Sequence, residues 1–108
     1  MVLNNMLTLS LLLNARLIAN VENKGRLTLA FAEGQLNVPN VYRLQCDSAQ
    51  RVELRDIIGC RVTDAYFHQQ QLTLVFDGRI EFSLRLREQH AVTFTDIHGV
   101  LHNFKKPL

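Results

Sequence analysis

Asp96, His98 and His102 have the residue types and the spacing of a metal site. On a strand, positions four apart share a face. Two imidazoles and a carboxylate there would meet one divalent ion. Gly99 falls inside the run and predicts a turn, which scatters the ligands. No metal or other cofactor is therefore expected, and these three residues are the candidates should one bind. Other chemistry is thinner. Ser10, Ser48 and Ser83 lack the flanking glycines of a nucleophile elbow. Cys60 follows Gly59 at the end of a predicted helical turn, where nothing activates a thiol. Asp64 and Glu81 could meet across strands, but they read as solvated charges. The five glycines are isolated, each near a turn, and none builds a phosphate loop.

One feature suits binding rather than catalysis. Arg79, Arg85 and Arg87 alternate with Ile80, Phe82, Leu84 and Leu86, with Glu81 and Ser83 between them. A basic strand face of this kind contacts an acidic protein or phosphates. No aromatic residue is interleaved on that face, unlike single-stranded nucleic-acid binders. The plainer reading is a solvated face that discourages edge aggregation.

The elements that position these residues come from an internal repeat. Leu9, Arg16, Leu27, Thr28, Leu29 and Phe31 recur 45 residues later as Leu54, Arg61, Leu72, Thr73, Leu74 and Phe76. Such a period means one structural unit built twice. Each unit is predicted to open with a short strand, Leu7 and Leu9 or Val52 and Leu54 sharing one face. A helical turn follows, closed by Asn14 or Gly59 at positive φ, with Asp56 as N-cap in the second unit. Next comes a strand from Arg16 or Arg61. Its facing is ambiguous, because Asp64 stands among apolar residues, and a bulge or an edge position would reconcile it. A third strand buries Leu27, Leu29 and Phe31, or Leu72, Leu74 and Phe76.

Loop register follows from matching apolar faces. A three-residue loop over residues 77–79 pairs Phe76 with Ile80 and Leu74 with Phe82. A four-residue loop over residues 32–35 pairs Phe31 with Leu36. The fourth strand of the first unit runs on through Tyr42 and Leu44, interrupted by Pro39, which marks an edge or a break. Val92 and Phe94 begin another strand, a loop spans residues 96–99, and a last strand ends near Phe104. Lys105 to Leu108 read as a loose tail. The sum is eight to ten strands. The predicted fold is all-β: one domain of two units, about 7–49 and 52–104, forming a pseudo-two-fold sandwich or small barrel.

Composition agrees with a single core. Hydrophobic residues make up 47% and charged residues 20% of the 108 positions. Twelve basic against ten acidic residues leave a net +2, too little to argue for nucleic acid. Cys46 and Cys60 occupy non-equivalent places in the two units and read as reduced thiols of a cytoplasmic protein. The apolar run from Met6 to Leu13 is too short to span a bilayer, and its copy in the second unit marks it as part of the fold.

The stretch Ile58-Gly59-Cys60-Arg61-Val62, followed by Leu72-Thr73-Leu74-Val75-Phe76-Asp77-Gly78, resembles a pattern of small bacterial all-β domains of unknown function, some of them immunity-type proteins that neutralise toxins. That pattern runs IG-x-x-V then L-x-L-x-F-x-DG, and here one residue is missing before the Asp-Gly pair. The resemblance implies a bacterial β domain without known catalysis and carries over no functional residue.

These readings lead to a non-catalytic protein-binding or assembly domain with an unidentified protein partner, as a homo-oligomer in one version, away from membranes. The alternatives are a nucleic-acid-binding domain using Arg79, Arg85 and Arg87, and a small metal-dependent enzyme using Asp96, His98 and His102.

Overall fold

Two three-stranded meanders organise the chain, and each borrows its next strand from the other. The computed structural model describes residues 9–87 and 92–104. Among these the fold is all-β, with nine strands in two antiparallel sheets. β1 (Leu17–Asn23), β2 (Arg26–Phe31) and β3 (Gly34–Pro39) form the first meander. β4 (Arg43–Cys46) comes next in the chain, then β5 (Val62–His68), β6 (Gln71–Phe76) and β7 (Ile80–Arg85), the second meander. β8 (Val92–Asp96) and β9 (Leu101–Phe104) close the chain. The sheet orders are β1-β2-β3-β8-β9 and β4-β7-β6-β5. So β4 leaves β3 and pairs with β7, while β8 follows β7 and pairs with β3.

The register of one meander recurs in the other. β1 pairs with β2 from Leu17↔Phe31 to Asn23↔Arg26. Forty-five residues on, β5 pairs with β6 from Val62↔Phe76 to His68↔Gln71. Both ladders shift register after the first pair, at Leu17/Ala19 and at Val62/Asp64. β1 and β5 also end their sheets. Bulge and edge position therefore both occur, and Asp64 is turned to solvent.

The meanders join at their first residues. Arg16 and Arg61 form an antiparallel bridge. The Leu17 and Val62 amides donate to the Cys60 and Ala15 carbonyls, each at 2.9 Å. The Asn14 amide donates to the Val62 carbonyl at 2.8 Å, and the Gly59 amide to the Leu17 carbonyl at 2.7 Å. Asn14 and Gly59 hold φ of 67° and 89°, as expected from residues that tolerate left-handed backbone. At the far ends of β2 and β6, the Phe31 and Phe76 rings lie parallel, 6.4 Å apart. Inward residues of both sheets form one apolar cluster, including Leu29, Leu36, Phe76, Phe82 and Phe94. Burying each such side chain is worth roughly 1.5–3 kcal/mol.

Four local expectations need correction. Leu9 lies in a helical turn over residues 9–12, and Leu54 begins the 3₁₀ turn Leu54–Ile57. No strand opens either unit there; Leu7 lies outside the described residues. The physical reason is spacing: Leu9 with Leu12, and Leu54 with Ile57, are three apart and share a helical face toward the core. Asp56 is not the N-cap. Glu53 is, and the Asp56 carboxylate accepts from the Glu53 amide at 2.8 Å. The loop after β2 has two residues, so Phe31 faces Gly34 and Leu29 faces Leu36. Gly34 allows this, since a Cβ there would stand 2.4 Å from the Thr95 carbonyl and 2.7 Å from Phe94 Cζ. The strand through Tyr42 and Leu44 does not continue β3. The break expected at Pro39 is present, and the chain beyond it crosses to the other sheet. The loop after β6 keeps its predicted register, Phe76↔Ile80 through Leu72↔Leu84.

Candidate functional site

The basic strand face lies on the outside of the four-stranded sheet, and the ladders show what surrounds it. Directly paired residues share a face. One row across the sheet runs Arg43, Ser83, Thr73, Tyr66. The row toward the Cys46 end runs Gln45, Glu81, Val75, Asp64, and on the other side Arg85, Gln71 and His68 align. Val75 stands between Asp64 and Glu81, so those carboxylates do not pair across adjacent strands. Arg85 and His68 thus stand at one end of the face and Glu81 and Asp64 at the other, with Arg43 in the row between. Arg43, Arg85 and Arg87 are exposed. No ion pair joins them to a described carboxylate.

Arg79 does not belong to this group. It sits in the turn after Asp77 and Gly78, where its amide donates to the Phe76 carbonyl at 3.0 Å and its carbonyl accepts from the Asp47 amide at 3.0 Å. Six residues of strand separate it from Arg85, about 20 Å at the usual rise. Arg43 is the member that sequence reasoning missed. Its alternation with Leu44 marks it as outward, but the crossing of β4 to β7 leaves no local signal.

The Asp96, His98 and His102 group is partly assembled. His102 Nε2 lies 3.1 Å from Asp96 Oδ2. Asp96 Oδ1 accepts from the His98 amide at 2.9 Å and from the Val100 amide at 3.0 Å. His98 therefore meets Asp96 through its backbone. No group of three or more His, Cys, Asp or Glu among the described residues is placed to hold a metal ion. The hydrogen bond with His102, followed by that from Val100, holds the Asp96 carboxyl below the usual range. This is a carboxylate clamping the β8–β9 turn; the turn at Gly99 forms as expected, but it brings His102 to Asp96 rather than scattering the two.

Cys60 is equally structural. It is buried, and burial pushes its thiol up to about 11, with the Asp77 carboxylate adding to the effect. Its Sγ lies 3.7 Å from the Asp56 carbonyl. A thiol so protonated at neutral pH is a poor nucleophile.

A second surface feature had no sequence signal. A shallow cavity of about 500 Å³, largely open to solvent, lies between the end of β1 and β4. Half-buried Tyr42, Leu44, Val52 and Leu54 line it, with exposed Glu22 and Arg51 at its mouth. Glu53 and Arg55, also at the mouth, form an ion pair at 2.9 Å. The Tyr42 ring stacks on Phe82 at 5.2 Å. Burial, and then the Glu22 charge, raise the Tyr42 phenol above its usual range. Nearby, Asn20 turns inward from β1. Its amide donates to the Leu54 carbonyl at 2.9 Å, and its Oδ1 is buried without a described partner.

Comparison with known protein families, characterised proteins and solved structures finds no match to this chain.

Proposed function

We propose that this chain is a non-catalytic protein-binding or assembly domain, built of two repeats, that docks through the outer face of its four-stranded sheet. One observation carries the reading: Arg43 on β4, Arg85 at the end of β7 and Arg87 just beyond it stand exposed without described acidic partners, while Glu81 and Asp64 lie toward the other end of the face. A face segregated in this way orients an approaching partner of complementary charge. Charged groups at a rim set association rate and specificity, while neighbouring apolar contacts supply affinity. Free Cys46 and Cys60 fit a reducing compartment such as the cytoplasm.

The test is affinity enrichment with the purified protein and with an Arg85→Glu/Arg87→Glu variant, followed by reconstitution with the purified candidate partner. The variant should keep the wild-type thermal midpoint and lose the partner. Equal binding by both proteins refutes this face. Sedimentation of the same samples tests the homo-oligomeric version.

A nucleic-acid reading has one specific support. Tyr66 is exposed on the same face, in the row of Arg43. Stacking of a base on that ring, with phosphates on the arginines, would give binding that weakens steeply with salt. Tight, salt-sensitive binding of single-stranded DNA that Tyr66→Ala abolishes would move the assignment there.

A further inference from the structure

The cavity beside β4 has a counterpart at the opposite edge of the molecule, and that counterpart is filled. β8 flanks β3 through Gly34↔Asp96 and Leu36↔Phe94. β4 flanks β7 in the same manner, through Ile80↔Cys46 and Phe82↔Leu44. The two strands hold equivalent places. β8 has a further neighbour, β9, while β4 has none among the described residues. β9 runs antiparallel to β8, with Val92↔Phe104, Thr93↔Asn103 and Phe94↔His102. Its last residue, Phe104, is buried, with its ring 5.6 Å from that of Phe67 on β5. Forty-five residues before Phe67 stands Glu22, at the mouth of the open cavity. Tyr42 occupies the place of Val92. What β9 and Phe104 cover at one edge is left uncovered by the described residues at the other.

We infer that β4 accepts an extended segment of a partner protein as a fifth strand, antiparallel to it, with a large apolar side chain entering the cavity and an acidic one opposite Arg43. The inference rests on the protein-binding reading and names the kind of partner. The register of β9 supplies the rule. A guest residue in the place of Phe104 lies opposite Tyr42 and meets Tyr42, Leu44, Val52 and Leu54. The next guest residue, in the place of Asn103, lies opposite Arg43 on the outer face. Opposite charges across a strand pair stabilise it and like charges oppose it. The exposed arginine therefore selects a carboxylate. Main-chain hydrogen bonds to the edge of β4, which no described strand pairs, give affinity, and alternate side chains give specificity, as in other strand additions. The added strand would extend the same outer face that carries Arg85.

The experiment selects a random peptide library displayed on phage against the purified protein. An enriched sequence is then synthesised and titrated into ¹⁵N-labelled protein. The expected peptides alternate, with a large apolar residue next to Asp or Glu. The expected shift changes fall on Arg43–Cys46 and on Val52 and Leu54. Val52→Trp fills the cavity from its wall and should weaken the peptide at least about tenfold, as loss of an anchor pocket does. Arg43→Glu leaves the core untouched and should reverse the acidic preference. Shift changes confined to Arg85 and Arg87 would overturn strand addition while leaving a protein-binding face. Changes at Arg43–Cys46 that arise from dilution of the protein alone, with a concentration-dependent mass, would replace the guest by a second copy. No enriched alternating sequence would overturn the inference. The reading beneath it would then stand or fall on the Arg85→Glu/Arg87→Glu enrichment.

Discussion

Phe76→Ala should remove the ring around which the two meanders meet. Phe76 is fully buried and Phe31 is 5% exposed, and their rings stack at 6.4 Å with an interplanar angle of 2°. Truncating a buried Phe costs about 3–5 kcal/mol through lost transfer energy and the cavity left behind. A domain of this size is stable by only about 5–15 kcal/mol, so at the low end of that range Phe76→Ala brings it near unfolding at room temperature. Leu substitutions keep most of the volume and should cost below about 1.5 kcal/mol each. The stack itself adds about 0.5–1.5 kcal/mol beyond area. The double variant Phe31→Leu/Phe76→Leu should therefore lose less than the sum of the single losses, by that amount. Urea unfolding followed by circular dichroism measures all of these. Additive Leu losses would refute the coupling across the meanders. A Phe76→Ala loss below about 1 kcal/mol would refute its place in the shared core.

Three further predictions concern backbone and charge. The β5–β6 turn holds Gln69 and Gln70 at φ of 49° and 66°, where the β1–β2 turn uses Lys24 and Gly25; Gln70→Gly should stabilise by about 0.5–1 kcal/mol, because an L side chain is strained there, and an unchanged or lower thermal midpoint would contradict this. Gly34→Ala places a Cβ 2.4 Å from the Thr95 carbonyl, so it should cost about 1–3 kcal/mol or more by overpacking in calorimetry, whereas tolerance would mean that β8 can move away from β3. The Asp77 carboxyl is held low first by the Arg61 amide, at 2.9 Å, and Asp96 is held low by His102. A carboxylate with a depressed folded pKa stabilises fully above its unfolded value near ~3.9 and loses that contribution as pH falls through the folded value. The thermal midpoint should therefore drop on acidification below about pH 4, with a shallower drop in Asp77→Asn; parallel curves for the two proteins would refute the role of Asp77.

Much of the fold was legible because apolar alternation and turn chemistry agree at several places. Leu72, Leu74 and Phe76 against Ile80, Phe82 and Leu84 rule out a loop of even length, and the three-residue loop is present. Asn14 and Gly59 share the left-handed backbone that their types suggest. The misses have physical causes. Leu9 and Leu54 are compatible with a strand or a helical turn when only a few residues are read, and the spacing to Leu12 and Ile57 decides it. The loop after β2 was mis-set because a glycine carries no facing signal, and its fit beneath Phe94 is a tertiary matter. The site was less legible. Arg85 and Arg87 are exposed as their alternation indicates, but Arg43 joins them only through a strand crossing between sheets. Glu22 borders the cavity, whereas Phe67, 45 residues on, packs under Phe104, a difference that means little until both edges are seen.

The crossing of β4 and β8 between the sheets has a consequence for cleavage and for folding order. A single cut in the exposed connection between β4 and the 3₁₀ turn, around Ala49, separates the meanders. After such a cut β4 still lies beside β7 and β8 beside β3, so each fragment retains a strand embedded in the other. The nicked protein should stay one particle under native conditions and run as two bands only when denatured. Either fragment made alone exposes an unpaired ladder, and the two made together can supply each other's missing strand. During synthesis the first meander must wait for β8 before β3 gains its second neighbour, which favours late, cooperative closure over stepwise folding of halves.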